Sequence, residues 1–425
     1  MATAKPRRGF LRRQMRRIEL TDAAGLRTTV YVLIASTLLL TAFGFVMVLS
    51  SSAVEFVSAD RDPYSLFIKQ ATFGVMGIVG MFVMMAMPTA WLKRLAWIAM
   101  IGMLGLLALV LVIGVNVNGN KNWLQFGPVT LQPSEMLKPV MVLFAGTMFE
   151  RKRRVMDQPM HALVPVAVVV GMAIALVLLG RDLGQVLVLA GILAVMYLVS
   201  GAPWRVMGLL GAAGLAMTVV AVFASPNRMM RILSFAGQGA EDDAQGIGFQ
   251  ALQGRFALAS GGWTGVGLGQ SRLKWSYIPE AQNDFIVAII GEEIGLWGTL
   301  TIIAAFMVMI VCIYRIGFRG DSLFSRVVCG GVMAWIGFQA FVNIGMVSGM
   351  LPVIGVPLPF ISYGGSALLS TLIGVGLVLN IARTEIMASQ RAKFVAASAA
   401  EEDADGSEAV VHSVAVTDAS EKDGV

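Results

Sequence analysis

The chain has 425 residues, of which 57% are hydrophobic and only 14% charged, and its formal net charge is +6. A soluble globular domain carries about 25% charged residues, so a chain this apolar cannot cover itself with a wettable surface, and lipid is its natural solvent. Two cysteines (Cys312, Cys329) and two histidines (His161, His412) argue against a disulfide framework, a zinc site or a histidine triad.

Residues 1–28 are basic and polar, and the apolar run that follows, Val30–Leu49, is too long for the core of a cleavable signal peptide. It reads as the first membrane-spanning helix. Unbroken apolar runs of helix-spanning length recur, without the short alternation of a membrane barrel. Backbone groups in lipid must pair internally, so each run is expected to be a helix. The expected spans are 29–50, 68–88, 95–115, 134–150, 160–179, 183–200, 206–224, 284–314, 326–348 and 366–385. The fold class is therefore an all-α polytopic membrane protein of about ten transmembrane helices.

Lys and Arg set its orientation. Arg7, Arg8, Arg12, Arg13, Arg16, Arg17 and Arg27 at the N-terminus share one side with Lys93, Arg94, the Arg151–Arg154 cluster, Arg205, Arg315, Arg319, Arg326 and Arg383. The alternate connections are poor in basic residues, which puts both termini in the cytoplasm. The charge excess is read as this topology signal, with a small share for anionic lipid, and no nucleic-acid partner is expected.

Three outer segments are more than turns. Residues 116–133 are rich in Asn, Gly and Gln, residues 225–283 form one large extracellular loop between helices 7 and 8, and residues 349–365 carry Pro352, Pro357 and Pro359 among glycines. In the large loop Phe249, Leu252, Phe256 and Ala259 recur at helical spacing, which predicts either an amphipathic helix on the outer leaflet or a lid on the bundle. Three segments follow: a basic cytoplasmic stretch (1–28), a ten-helix membrane domain (29–386), and an acidic tail (387–425) expected to be disordered.

Ionisable residues at membrane depth are costly and so become functional candidates. Here they gather at the outer ends of the spans: Glu135 and Lys138 in the fourth, Arg181 and Asp182 between the fifth and sixth, and Asp284 with Glu292 and Glu293 in the eighth. Arg255, Arg272 and Lys274 come from the large loop, and Ser362 and Tyr363 from the Pro/Gly-rich one. Asp284 is the sharpest candidate. A carboxylate partly withdrawn from water gains proton affinity and suits a general base for a sugar hydroxyl, while an N-cap would equally place an Asn or Asp there. Glu135 and Lys138, at i and i+3, read either as a self-neutralising pair or as groove-lining groups. Glu292 falls near the Asp284 face, about 12 Å along the helix. The glycines at 261, 262, 265, 267 and 269 lack the strand–loop–helix context of a phosphate loop.

Four blocks together resemble one family. They are Asn118-Gly119 through Trp123-Leu124 with Gln132-Pro133-Ser134-Glu135 and Lys138; Gly261 through Ser271; Tyr277-Ile278-Pro279-Glu280 through Asn283-Asp284-Phe285-Ile286 and on to Gly295; and Leu351-Pro352 through Pro357-Leu358-Pro359-Phe360-Ile361-Ser362-Tyr363-Gly364-Gly365-Ser366. Over residues 30–386 the chain resembles the shape, elongation, division and sporulation (SEDS) family of peptidoglycan glycosyltransferases, and the Gly-Val-Gly-Leu-Gly-Gln-Ser stretch is more like its division branch (FtsW) than its elongation branch (RodA).

The resemblance implies polymerisation of lipid II into glycan strands at the outer face of the bacterial cytoplasmic membrane, at the division septum. It implies Asp284 as the base and Glu135, Lys138, Arg255, Lys274, Glu292, Ser362 and Tyr363 as substrate-side residues. The implied partners are a class B penicillin-binding transpeptidase and other divisome membrane proteins. It also allows a divalent cation (Mg2+ or Mn2+), for which no metal ligand set is readable in the sequence. Two departures stand out. Gln282-Asn283 replaces the usual His-Thr before the aspartate, and Arg181-Asp182 replaces a usual Pro-Asp. A lipid II flippase and a non-catalytic divisome scaffold are the competing readings. The clustering of charge on the outer side argues against the first, and the placement of Asp284 against the second.

Overall fold

The computed structural model describes residues 7–58, 62–117, 120–127, 129–223, 225–235, 247–272, 281–320 and 322–422. The chain opens with helices α1 (Arg7–Ser58), α2 (Ser65–Ala86) and α3 (Thr89–Ile113), followed by strands β1 (Val115–Val117), β2 (Asn120–Phe126) and β3 (Val129–Leu131). Helices α4 (Pro133–Arg151), α5 (Pro159–Leu163), α6 (Val166–Leu179), α7 (Leu183–Ser200) and α8 (Trp204–Phe223) come next. The large loop holds α9 (Pro226–Phe235), α10 (Ile247–Ser260) and α11 (Ala281–Asp284), and α12 (Ile286–Gly317), α13 (Leu323–Val347) and α14 (Gly365–Lys422) complete the chain.

Two compact units result: Met1–Thr28 with Ala382–Val425, and Thr29–Ile381. In the first, α14 continues as helix through the tail that its composition marks as disordered; Ala and Glu are strong helix formers, so local propensity extends the helix without an apolar face.

Among the described residues, eight helices are long and apolar enough to cross a membrane. Two expected spans differ from that pattern for physical reasons. The fourth, α4, carries Glu135 and Lys138 and is buried along almost its whole length, so neighbouring helices, not lipid, solvate it. The fifth is broken, because Pro165 has no N–H to continue the helix and leaves α5 and a 14-residue α6. The 32-residue α12 is two helices meeting at Gly295, whose φ of 67° and ψ of −165° interrupt the helix and absorb the surplus length of the eighth span.

The core is built from α4, α7 and α13. Phe144, Tyr197 and Trp335 are fully buried there. Edge-to-face pairs lock the contacts, with Trp97 and Phe144 at 4.8 Å and Phe149 and Tyr197 at 4.9 Å. On α3 and α8 large apolar residues such as Ile98, Val112, Leu215 and Val220 stay exposed, as a lipid-facing surface requires.

The segment after α3 is not irregular. β2 pairs antiparallel with both β1 and β3, with Val115 opposite Trp123 and Leu124 opposite Leu131. The short runs Trp123-Leu124-Gln125-Phe126 and Val129-Thr130-Leu131 carry this signal, which the surrounding Asn and Gly mask. The Pro/Gly-rich segment before α14 enters the bundle: Phe360 and Ile361 are buried, and a Cβ at Gly44 of α1 would sit 2.3 Å from the Phe360 carbonyl oxygen. Irregular backbone at this depth survives because protein surrounds it. Helix α10 turns its small residues inward. Gly254 and Ala257 are buried, whereas Leu252, Phe256 and Ala259 are exposed, so the large apolar face predicted for this helix points away from the bundle.

Candidate active site

Asp284 ends the short helix α11, and Phe285 is the N-cap of α12 without any side-chain cap bond. The Asp284 backbone is pinned from α13: Asn343 Nδ2 donates to the Asp284 carbonyl at 2.9 Å and to the Val356 carbonyl at 2.7 Å. A second tie runs from the Tyr363 N–H to the Gln282 carbonyl at 3.0 Å. The half-buried Asp284 side chain faces Gly355, where a Cβ would stand 3.2 Å from Oδ2 and where φ is +75°. Arg231 of α9 donates from Nη1 to the Val353 carbonyl at 3.3 Å and interacts electrostatically with Asp284. Burial lowers the Arg231 pKa and the Asp284 charge opposes that shift. A guanidinium stays charged regardless.

The second cluster lies behind the same loop. Lys138 Nζ donates to Glu135 Oε2 at 2.8 Å, both side chains fully buried, and lies 5.5 Å from the Trp335 ring centroid. Gln185 bridges two acids, with Nε2 donating to Glu135 and the backbone N–H to Asp182 Oδ1. Asp182, the N-cap of α7, also accepts from Asn122 Nδ2 at 2.8 Å and Gln132 Nε2 at 2.9 Å, which ties the β-sheet segment to α7. Burial raises the Asp182 carboxyl pKa, opposed by these donors. The clusters share a wall, since a Cβ at Gly184 would meet the carbonyls of Ile354 at 3.0 Å and Gly355 at 3.3 Å.

The remaining candidates divide. Ser362 is buried and its hydroxyl accepts from the Leu358 N–H at 2.8 Å, so it shapes the loop that carries Gly355. Tyr363 is half-buried beside it, with burial pushing its phenol pKa up. Arg255 of α10 lies against Gly349. Glu292 is not beside Asp284: it is buried and accepts from Ser271 Oγ and, at 3.0 Å, from the Arg272 N–H. Glu293 accepts from Ser50 Oγ at 3.1 Å and from the Ser271 N–H at 3.4 Å. The pair anchors the glycine-rich loop, whose Gly265 N would lie 2.4 Å from a Cβ at Gly295. Gly261 and Gly265 serve close packing on α12 at the kink, where a Cβ on either would collide with the Gly291 or Glu293 carbonyl. Lys274 lies outside the described residues. Arg228, Arg231, Gln185 and Asn343 went unmarked in the sequence reading. Arg228 and Arg231 carried a legible signal, i and i+3 spacing on one helix face. The two amides carried none, because amides inside apolar helices have no motif of their own. Among the described residues no three His, Cys, Asp or Glu side chains form a ready metal ligand set.

Residues 30–386 match the family of cell cycle proteins that takes in FtsW, RodA and SpoVE. The chain belongs to this family. Stage V sporulation protein E of Bacillus subtilis is 36% identical over 354 residues, spanning 83% of this chain and 96% of that protein. The probable peptidoglycan glycosyltransferase FtsW of Mycobacterium tuberculosis is 37% identical over 361 residues, 84% of this chain and 68% of its own length. Among solved structures, a chain of a peptidoglycan synthase complex that coordinates polymerization and crosslinking superposes with a TM-score of 0.67 at 29% identity, covering 83% of this chain and 97% of that one. The rod shape determining protein RodA of Thermus thermophilus superposes with a TM-score of 0.60 at 28% identity over 83% of this chain and 95% of its own.

Proposed function

We propose that this multi-pass membrane protein is a peptidoglycan glycosyltransferase that polymerises lipid II, with Asp284 as its general base. The observation that carries this reading is Asp284 itself, its backbone held from α13 and its carboxylate set against the Gly355 loop. The basic connections lie in the cytosol, so this end of the bundle is the outer one, where a lipid-borne sugar is within reach.

Asp284 takes the proton from the 4-hydroxyl of one lipid-linked disaccharide. That oxygen attacks the anomeric carbon of a second chain, and undecaprenyl diphosphate leaves with the electron pair of the broken bond. The buried Glu135–Lys138–Gln185–Asp182 network backs the Gly355 loop from behind. Relatives that carry the FtsW name support a role in septal wall synthesis, and the superposed synthase complex supports a transpeptidase partner.

The test is polymerisation by the purified full chain with lipid II, with and without a class B transpeptidase, analysed on gels. The wild-type protein is expected to make glycan strands and Asp284→Asn to make none while keeping its melting temperature. Polymer from Asp284→Asn at the wild-type rate removes Asp284 from the chemistry.

A further inference from the structure

The two arginines of α9 have no part in the mechanism as drawn, yet they stand over its acids. Arg228 and Arg231 are one helical turn apart. Arg228 donates from Nη1 to the Ala221 carbonyl at 2.9 Å and from Nη2 to the Arg181 carbonyl at 2.8 Å, and its electrostatic partner is Asp182. Arg231 reaches past it to the Val353 carbonyl, two residues before the glycine that faces the Asp284 carboxylate.

We infer that Arg231 is a positioning residue for the reaction: anchored on Val353, in the loop whose Gly355 stands against the Asp284 carboxylate, its charge keeps that carboxylate ionised and in place to accept the sugar proton. This rests on the glycosyltransferase reading above and adds to it a residue and an electrostatic role.

The geometry assigns the role to Arg231 and not to its neighbours. Among the described residues, charged and titratable groups near the site include Arg228 and Arg231 on α9, Asp182 at the start of α7, Arg255 on α10 and Tyr363 in the loop. Arg228 is directed to Asp182, Arg255 lies along Gly349, Tyr363 is a neutral phenol near pH 7, and α13 contributes the uncharged Asn343. Among these described groups, Arg231 is the one whose charge interacts with Asp284. A half-buried carboxylate without such a partner holds its proton to higher pH and is then no base at neutral pH, whereas an opposite charge within about 4–6 Å favours the ionised form. Because a guanidinium does not titrate near neutrality, the effect is constant across the working range.

The experiment is the pH profile of kcat/KM for lipid II polymerisation between pH 5 and 9, using the purified full chain and its Arg231→Gln and Arg231→Lys variants. Arg231→Gln is expected to move the acid limb up by about one pH unit or more, with most of its deficit at pH 6 recovered by pH 8.5. Arg231→Lys, which keeps the charge, is expected to hold the limb at the wild-type pH while losing part of kcat. A uniform slowing by Arg231→Gln with the limb unmoved overturns the inference, as does a limb displaced equally by Arg231→Lys. Where Arg231→Gln is too slow to assay, the Asp284 carboxyl is titrated by infrared difference spectroscopy against Asp284→Asn, with the same displacement expected. Where Arg231→Gln does not fold, Arg231→Met, which also removes the charge, takes its place with the same displacement expected and the same unmoved limb overturning the inference. Failure of the wild-type chain to polymerise lipid II refutes the function itself; an active wild type with an unmoved Arg231→Gln limb refutes only the role of Arg231.

Discussion

Asn343 holds the Asp284 backbone from inside the membrane bundle: one amide nitrogen reaches the carbonyls of both Asp284 and Val356. A single side chain thus fixes the candidate base and the loop facing it in one register. Asn343→Ala leaves two carbonyls without their donor, at a cost of about 1–3 kcal/mol. Loss of register between base and substrate is expected to reduce turnover at least about tenfold, beyond what the stability change alone produces. Thermal unfolding alongside single-turnover polymerisation separates the two; a variant that loses stability but keeps full turnover refutes the positioning role.

Gly355 has two reasons to remain glycine, its left-handed backbone and its distance from the carboxylate. Gly355→Ala forces a Cβ to within 3.2 Å of Asp284 Oδ2 and strains the backbone at φ +75°, the second effect alone costing roughly 1–2 kcal/mol. The expected outcome is a strong fall in kcat with a modest fall in melting temperature, read from the same polymerisation assay. Unchanged kcat means the carboxylate has space that the geometry denies it.

The Glu135–Lys138 pair sits in the protein interior, where removing one partner strands the other's charge. Lys138→Met is expected to destabilise by about 3–5 kcal/mol, and the double variant Glu135→Gln/Lys138→Met to recover most of that. Detergent melting curves check the stability arm. Polymerisation by the recovered double variant decides whether the pair only permits burial or also serves the reaction: activity near wild type assigns it to folding alone.

Glu292 is expected to behave as an anchor and not as part of the chemistry. Glu292→Gln weakens the bonds from Ser271 and Arg272, worth about 1.5–3 kcal/mol for a charged acceptor. It loosens the glycine-rich loop and lowers the melting temperature. Its pH–kcat/KM profile keeps the wild-type shape. A displaced limb for this variant shows that Glu292 communicates with the titrating base after all.

The membrane class, the apolar runs that form eight membrane-length helices and the four motif blocks were legible in the sequence, because apolar run length is a property of the chain read in one dimension. Asp284, Glu135 and Lys138 stood out for the same reason: a charge inside an apolar run is visible without coordinates. Other features depended on which surfaces meet. The strands after α3 were hidden by polar neighbours, the break in the fifth span needed Pro165 weighed against an otherwise helical run, and the inward face of α10 proved to be its small residues. Arg231 and Asn343 reach Asp284 from separate elements, 53 and 59 positions away in the chain. Only packing could bring them together, since hydrogen bonds and ion pairs act over a few ångströms in space and leave no spacing in the sequence.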